Sequence, residues 1–149
     1  MIRIKAVDEQ NVLDVCELKT NQDNIRKSIE GYSFCNAISI AKANYHSEMH
    51  PNAIYNNNVL IGFFVYQRTE NQAEIATDCR FMIDDRFRHK GLEKEALTHI
   101  LKGLKIQGVR KIIFLADCLK ESADELFLSS DVYLIEKIDK AKHYYEAEL

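Results

Sequence analysis

The stretch from Arg80 to Leu104 constrains the fold more than any other part of the sequence. It begins with an apolar run that suits a buried strand, continues through a basic turn at residues 86–90, and passes Gly91 into a long amphipathic segment. A helix that starts directly after such a turn presents unpaired N–H groups and the positive end of its dipole to the turn. This order of elements predicts a site that binds a phosphate group.

Length and composition indicate a single globular domain that spans residues 1–149. The chain is 46% hydrophobic and 29% charged, and its formal net charge of −3 provides no electrostatic basis for binding nucleic acid. No apolar run reaches the roughly 18 residues of a membrane span, and the first residues do not resemble a signal peptide. We therefore expect a cytoplasmic protein with no nucleic-acid partner and no membrane partner.

The four cysteines are far apart and form no Cys-x-x-Cys pair. Each has apolar neighbours, which favours reduced and mostly buried packing residues over disulfides or metal ligands. Cys79 has a second interpretation as a reactive nucleophile, although packing is favoured. The cysteines are Cys16, Cys35, Cys79 and Cys118.

A metal site is a weaker possibility at His46, Glu48 and His50. The two histidines are four residues apart, but Pro51 follows directly and the segment has the character of a loop. A zinc protease would need the His-Glu-x-x-His pattern on a helix. We therefore expect no metal.

The first half of the chain predicts a strand, two helices and a hairpin. Residues 2–7 alternate as a strand, residues 12–18 carry a helical stripe, and a second helix follows Ser33. Residues 45–51 are predicted to form a loop. Strands at residues 52–55 and 59–67 flank an asparagine triplet that suits a hairpin turn, and the second of these strands is apolar almost throughout, as in a strand covered on both faces.

The second half predicts a strand at residues 74–83, followed by the long helix at residues 90–107. A strand at residues 111–116 comes next and is expected to run parallel to the strand at residues 74–83. Gly108 is expected to end the helix in the left-handed conformation. A short helix at residues 123–128 and a closing hairpin follow. The whole order predicts an α/β (α+β) domain in which helices cover both faces of a mixed sheet.

This order of elements and three of its segments resemble the GCN5-related N-acetyltransferase (GNAT) family, and within it the small bacterial spermine/spermidine acetyltransferases. The segments are residues 58–66, residues 80–94, and residues 111–115 together with 123–132. The resemblance covers the whole chain. It implies a mostly antiparallel, twisted sheet of six to seven strands, with acetyl-CoA as co-substrate.

The resemblance also implies the residues that would bind the cofactor. The family loop Arg/Gln-x-x-Gly-x-Gly/Ala corresponds to residues 88–93, whose amides would hold the pyrophosphate of CoA. Main-chain groups at the end of the preceding strand would pair with the pantetheine arm. The implied cofactor-binding residues are Phe81, Met82, Ile83, Arg88, His89, Lys90, Gly91, Leu92, Glu93 and Lys94.

The sequence differs from the family pattern at three of these functional positions. His89 and Glu93 stand where relatives usually carry small residues, and Phe127 stands where relatives carry the tyrosine that protonates the departing thiolate. On the acceptor side, Glu74 and Asp78 are candidates for attracting or deprotonating an ammonium group, although both also fit exposed strand positions.

The resemblance implies direct acetyl transfer to a primary amine, either a polyamine or another small amine. Two alternatives stay open: a catalytically weakened or inactive domain that binds CoA or a protein partner, and an enzyme that acetylates a protein amine. The resemblance also leaves open a homodimer.

Overall fold

The computed structural model describes residues 1–19, 36–88, 90–115, 134–139 and 142–149. Three helices lie within these residues: α1 (Val12–Glu17), α2 (Asn36–Ala43) and α3 (Leu92–Ile106). Short 3₁₀ turns occur at Glu70–Gln72 and Asp85–Phe87. The strands are β1 (Ile2–Ala6), β2 (Met49–Asn56), β3 (Val59–Gln67), β4 (Ile75–Ile83), β5 (Lys111–Leu115), β6 (Leu134–Asp139) and β7 (Lys142–Glu148).

These strands form one sheet in the order β1-β2-β3-β4-β5-β7-β6. The pair β4–β5 is parallel, and every other neighbouring pair of the described strands is antiparallel. The parallel pair requires a crossover, which α3 provides. The predicted mixed, mostly antiparallel sheet is therefore confirmed.

The asparagine turn has the geometry that the sequence predicts. Asn57 and Asn58 have φ values of +49° and +68°, so both central residues of the β2–β3 hairpin are left-handed. This conformation matches the right-handed twist of paired strands, and asparagine tolerates it better than most side chains.

Helices pack on both faces of the sheet, as predicted. On one face, α3 contributes Leu97, Ile100 and Leu101 to the larger core cluster, together with Phe64 of β3. On the other face, Val15 of α1 packs with a smaller cluster. The strand β3 contributes to both clusters, and its central residues 61–65 are buried because they are covered on both sides.

The end of α3 forms a Schellman motif. Gly108 has φ +97°, its N–H donates to the Lys105 carbonyl, and the N–H of Val109 donates to the Leu104 carbonyl. These two bonds satisfy carbonyls that the last helical turn leaves open. The helix therefore ends where the glycine predicts, and Val109 is buried as the chain turns toward β5.

Two expectations were wrong. The loop predicted over residues 45–51 is shorter, because β2 already begins at Met49. Strand β2 tolerates Pro51, which has no N–H to donate, because the register of β2 with β1 ends at Asn52. The Pro51 carbonyl still accepts from the Val7 N–H. Cys16 is exposed rather than buried, whereas Cys79 is buried as expected.

Several predicted features lie outside the described residues. They are the helix start at Ser33, the short helix at residues 123–128 with Phe127, the residue His89, and the cysteines Cys35 and Cys118. In the described part of the chain, no helix is long and apolar enough to cross a bilayer.

Candidate functional site

Strand β4 has two halves that are paired differently. From Ile75 to Cys79 it pairs with β5 on one side, and its register with β3 on the other side continues to Ile83. Among the described residues, the half from Arg80 to Ile83 therefore has a neighbouring strand on one side only. Its second edge presents backbone N–H and C=O groups that can pair with an extended ligand.

A β-bulge separates the two halves. Thr77 pairs with Gln67 and Arg80 pairs with Val65, so two residues of β4 lie opposite the single residue between the partners on β3. The first bulged residue is Asp78, whose φ of +49° is left-handed and which is exposed. The second, Cys79, is buried in the larger cluster, so the packing interpretation of Cys79 is the one that fits.

The turn after β4 is fixed by the buried carboxylate of Asp84, which is 3% exposed. It accepts from the Lys19 N–H at 2.9 Å, from the Arg86 N–H at 3.0 Å and from Arg86 Nε at 2.8 Å. Burial alone would raise the pKa of Asp84, but the bonds from Arg86 and Lys19 outweigh it and hold the pKa below its ordinary value. The turn is therefore tied to the end of the α1 segment.

The start of α3 lies at the end of this turn. Gly91 is the N-cap residue with φ +77°, and a Cβ placed on it would meet no heavy atom within 4 Å. The helix follows at Leu92, so the N–H groups of its first turn have no acceptor within the helix. We call residues 91–94 the cradle. It combines a left-handed glycine, open space and backbone amides without a helical acceptor, and such a site fits an anionic group.

Arg88 is less available to an anion than the sequence suggests. Arg88 is 17% exposed and lies 3.5 Å from both Asp85 Oδ1 and Glu93 Oε1, so its charge is shared with two carboxylates. Lys90 and Lys94 are exposed. The predicted contribution of Arg88 to an anion site is therefore partly offset by the protein itself.

The residues expected at the pantetheine arm offer main chain rather than side chain. Phe81 and Ile83 are buried in the larger cluster, and Met82 is buried in the smaller one on the other face. Their side chains therefore anchor β4 between the two cores. The group that remains for a ligand is the backbone of the half-paired strand.

A cavity of about 420 Å³ lies between α2 and the bulge of β4, on the face of the smaller cluster. Its apolar wall is formed by Ile38, Met49 and Val65. Its polar wall carries charges of both signs and consists of Ser39, Lys42, His46, Glu48, Gln67, Asp78 and Arg80. Asp78, an expected acceptor-site residue, therefore borders a cavity.

The other predicted acceptor residue lies elsewhere. Glu74 precedes β4, is exposed and does not line this cavity; its carbonyl accepts from the N–H groups of Arg110 and Lys111. This is a structural role at the start of the parallel pair.

The two histidines considered for a metal lie on different sides of the sheet. His46 borders the cavity, with Nδ1 3.5 Å from Glu48 Oε1, whereas the His50 ring stacks on Tyr66, which packs against the larger cluster. Burial raises the pKa of Tyr66. Within the described ranges, no three His, Cys, Asp or Glu side chains form a group that could hold a metal ion.

Sequence reasoning missed most of this cavity. Arg80 is 4% exposed, its guanidinium donates to Ser39 Oγ at 3.1 Å, and it lies 5.8 Å from the centre of the Phe63 ring. The available signal was a charged residue directly before the apolar run of residues 81–83 that ends β4. Lys42, Ser39 and Gln67 carry no such signal, because only the packing of α2 brings them to β4.

No protein-family model matches the chain, and no curated protein sequence matches it. Solved structures match closely in fold. An acetyltransferase of the GNAT family from Staphylococcus aureus is 14% identical with a TM-score of 0.67, and the match covers 100% of this chain and 99% of that chain.

Two further solved structures have the same fold. The spermidine N-acetyltransferase from Vibrio cholerae, in complex with CoA and spermine, is 11% identical with a TM-score of 0.68, and the match covers 99% of this chain and 94% of that one. A ribosomal-protein alanine acetyltransferase from Vibrio fischeri is 10% identical with a TM-score of 0.67, with 99% and 92% covered. The chain therefore has the fold of the GNAT acetyltransferases, as its sequence pattern predicts.

Proposed function

We propose that the protein is an N-acetyltransferase that moves an acetyl group from acetyl-CoA to a primary amine by direct transfer. The observation that carries this proposal is the half-paired end of β4, which leads straight into the cradle at Gly91. An extended arm with an anionic end fits such a site: the arm pairs along the strand and the anion meets the helix start. CoA has this shape, and the solved structure from Vibrio cholerae contains CoA on the same fold.

The residues of the cradle have distinct roles in the proposal. The amides of Leu92, Glu93 and Lys94 would donate to the pyrophosphate, and the backbone of Met82 and Ile83 would pair with the pantetheine arm. Lys90 and Lys94 are exposed and add positive charge nearby. When bound, acetyl-CoA supplies the activated acyl group as a thioester. The neighbouring His89 of the implied loop lies outside the described residues.

Transfer requires an uncharged amine beside the thioester carbonyl carbon. The ammonium proton leaves to water or to a carboxylate, the C–N bond forms, the C–S bond breaks, and the thiolate takes up a proton. Asp78 is the carboxylate that borders the cavity at the bulge, so we assign it the role of attracting the ammonium group. Phe127, which the sequence resemblance aligns with the usual acid, has no proton to give.

The acceptor is proposed to be a small amine, with polyamines among the candidates. The cavity beside β4 has a volume suited to a small molecule, and the structure from Vibrio cholerae holds spermine. The structure from Vibrio fischeri belongs to an enzyme named for a ribosomal protein, which supports a protein amine as the alternative acceptor.

A second candidate function is a domain that binds CoA without catalysis. The pairing of Arg88 with Glu93 at the cradle favours it, and so does the sequence resemblance, which implies that Phe127 replaces the acid. Loss of a general acid costs a factor of about 10² to 10⁴ in rate, so this substitution by itself makes a slow enzyme rather than an inactive one.

Calorimetric titration with CoA and acetyl-CoA, followed by thiol release with a panel of amines, tests the proposal. We expect saturable binding of both ligands and thiol release that depends on an amine. Binding without thiol release would select the non-catalytic domain. Absence of binding at millimolar acetyl-CoA would refute the cofactor assignment itself.

A further inference from the structure

Lys19, at the end of the α1 segment, has both of its main-chain polar groups bonded to the turn after β4. Its N–H donates to Asp84 Oδ2 at 2.9 Å, and its carbonyl accepts from the Asp85 N–H at 2.9 Å. We call these two bonds the latch. Asp84 is 65 positions from Lys19, and its other oxygen accepts from the N–H and Nε of Arg86. One buried carboxylate therefore fixes the α1 segment and the turn together.

The turn connects the latch to the cradle. Asp85, whose N–H forms one bond of the latch, has its Oδ1 3.5 Å from Arg88 Nη1. Arg88 Nε in turn lies 3.5 Å from Oε1 of Glu93, a residue of the cradle. A continuous series of contacts therefore runs from Lys19 to the start of α3.

On its other side the latch leads to the wall of the cavity beside β4. Helix α1 has only six residues, so its position depends on tertiary contacts rather than on its own helical stability. Val15 of α1 is buried, and its carbonyl accepts from Asn36 Nδ2 at 3.0 Å, which joins α1 to the first residue of α2. Ile38 and Ser39 of α2 line the cavity. The latch therefore lies between the cradle and the α2 wall.

We propose that Asp84 and the Lys19 main chain are positioning groups for both halves of the site, so that CoA bound in the cradle also fixes α1 and the α2 wall of the cavity. The proposal rests on the proposed function, because it concerns how the cofactor and acceptor halves of that site are linked. Opening of the latch is a local event of the kind that proteins undergo without global unfolding. A ligand that binds better while the latch is closed makes opening less favourable by the same factor by which opening weakens the ligand.

Lys19→Pro breaks one bond of the latch, because proline has no N–H to donate to Asp84. The preceding residue, Leu18, has a ψ of 137°, which lies within the range preferred before proline. Lys19→Ala removes the same exposed side chain but keeps the N–H, and it is the matched control. Calorimetry should show that CoA binds about fivefold more weakly to Lys19→Pro than to Lys19→Ala, at the lower end of the usual range for coupled sites.

A merely structural latch would give a different result. It would lower the free energy of unfolding of Lys19→Pro but leave the CoA affinity of the folded protein unchanged. Urea unfolding of both variants therefore accompanies the titrations, which are made at a temperature where both proteins are folded.

Hydrogen exchange measures the same link in the reverse direction. Saturating CoA should slow exchange at the Lys19 amide of the wild type by about fivefold, because coupling is reciprocal, and it should also slow exchange at the Ile40 amide in α2. Gln72, whose N–H donates to the Thr69 carbonyl in the 3₁₀ turn before β4, should exchange at an unchanged rate. The effect of CoA on Ile40 should disappear in Lys19→Pro and persist in Lys19→Ala.

The outcomes distinguish this inference from the proposed function. Equal CoA affinities of the two variants, or an effect of CoA on Ile40 that persists in Lys19→Pro, overturn the coupling while acetyl transfer stands. Coupling without thiol release from any amine supports the latch and refutes the transferase. Absence of CoA binding overturns both. If Lys19→Pro does not fold, exchange in the wild type decides, and rates at Lys19 and Ile40 that CoA leaves unchanged refute the coupling.

Discussion

Arg88 and Glu93 face each other across the start of α3, with Nε and Oε1 3.5 Å apart. Both side chains are 17% exposed, so the pair is shielded from bulk water more than a surface pair. It lies beside the amides that the proposed cofactor site would use. The protein thus places its own carboxylate in the field of the helix N-terminus, where an incoming pyrophosphate would compete with it.

Glu93→Ala should tighten the binding of CoA. Removal of the carboxylate frees the field of the helix start for the pyrophosphate, a gain of about 0.3–1 kcal/mol, or roughly two- to fivefold in Kd. Calorimetry at low salt measures the change, and added salt should reduce it. Glu95→Ala, which removes an exposed carboxylate two residues further along α3, is the control; equal affinities for the two variants would reject the competition.

Gly91→Ala should destabilise the fold and weaken CoA binding. The position has φ +77° and open space around it, so the cost comes from backbone strain of about 1–2 kcal/mol rather than from a clash. Gly103→Ala in the same helix also meets no atom within 4 Å but should stabilise by about 0.5–1 kcal/mol. Urea unfolding of both variants tests this; the same sign for both would contradict it.

Gly62→Ala should destabilise the fold more than Gly91→Ala, because a side chain at position 62 has no room. A Cβ at this position of β3 would collide with the Met82 carbonyl oxygen and lie 2.7 Å from Ile83 Cδ1. Overpacking of this kind costs about 1–3 kcal/mol, and it would shift the half-paired end of β4. Unfolding midpoints and CoA affinity should therefore fall together; a stable variant with unchanged affinity would show that β4 can move without consequence.

The parts of the fold that local patterns govern were predictable. Short windows of sequence predict the left-handed residues Asn57 and Gly108, the alternation in β1 and the apolar face of α3. Strand β3 was also predictable, because burial on both faces leaves a continuous apolar run.

The parts that depend on distant contacts were not predictable. The bond between Arg80 and Ser39 joins residues that are 41 positions apart, and it exists only because α2 packs over β4. The early start of β2 before Pro51 depends likewise on the end of its pairing with β1. The cavity between α2 and the bulge is assembled by such contacts, so the sequence pointed to Asp78 alone as a candidate acceptor residue there.

Phe127→Tyr should raise the turnover number if this position serves the thiolate as the resemblance implies. A phenol donates a proton that a phenyl ring lacks, and we expect an increase of about tenfold or more in amine-dependent thiol release, with KM for acetyl-CoA little changed. The new rate should fall at alkaline pH as the phenol ionises. Phe127→Leu controls for packing; a rate that is the same for all three proteins would remove this position from the chemistry.

Asp84→Asn should remove a contribution to stability that depends on pH. The pKa of Asp84 in the folded protein is held below its ordinary value of 3.8, because the bonds from Arg86 and Lys19 outweigh burial. A depressed pKa stabilises the fold above the unfolded-state value and loses that effect as the pH falls through the folded-state value. The loss of charged hydrogen bonds should cost about 1.5–3 kcal/mol near pH 7, measured by urea unfolding.

The difference in the free energy of unfolding between wild type and Asp84→Asn should therefore shrink progressively as the pH falls below about 4. The wild-type carboxylate then takes up a proton and becomes neutral, like the asparagine. Asp14→Asn, which alters an exposed carboxylate on α1, should change stability by less than about 0.5 kcal/mol at every pH. If the free energies of unfolding of wild type and Asp84→Asn differ by the same amount from pH 7 to pH 3, the Asp84 charge does not stabilise the turn. Because the same carboxylate binds the Lys19 N–H, the variant should also lose protection from hydrogen exchange at that amide.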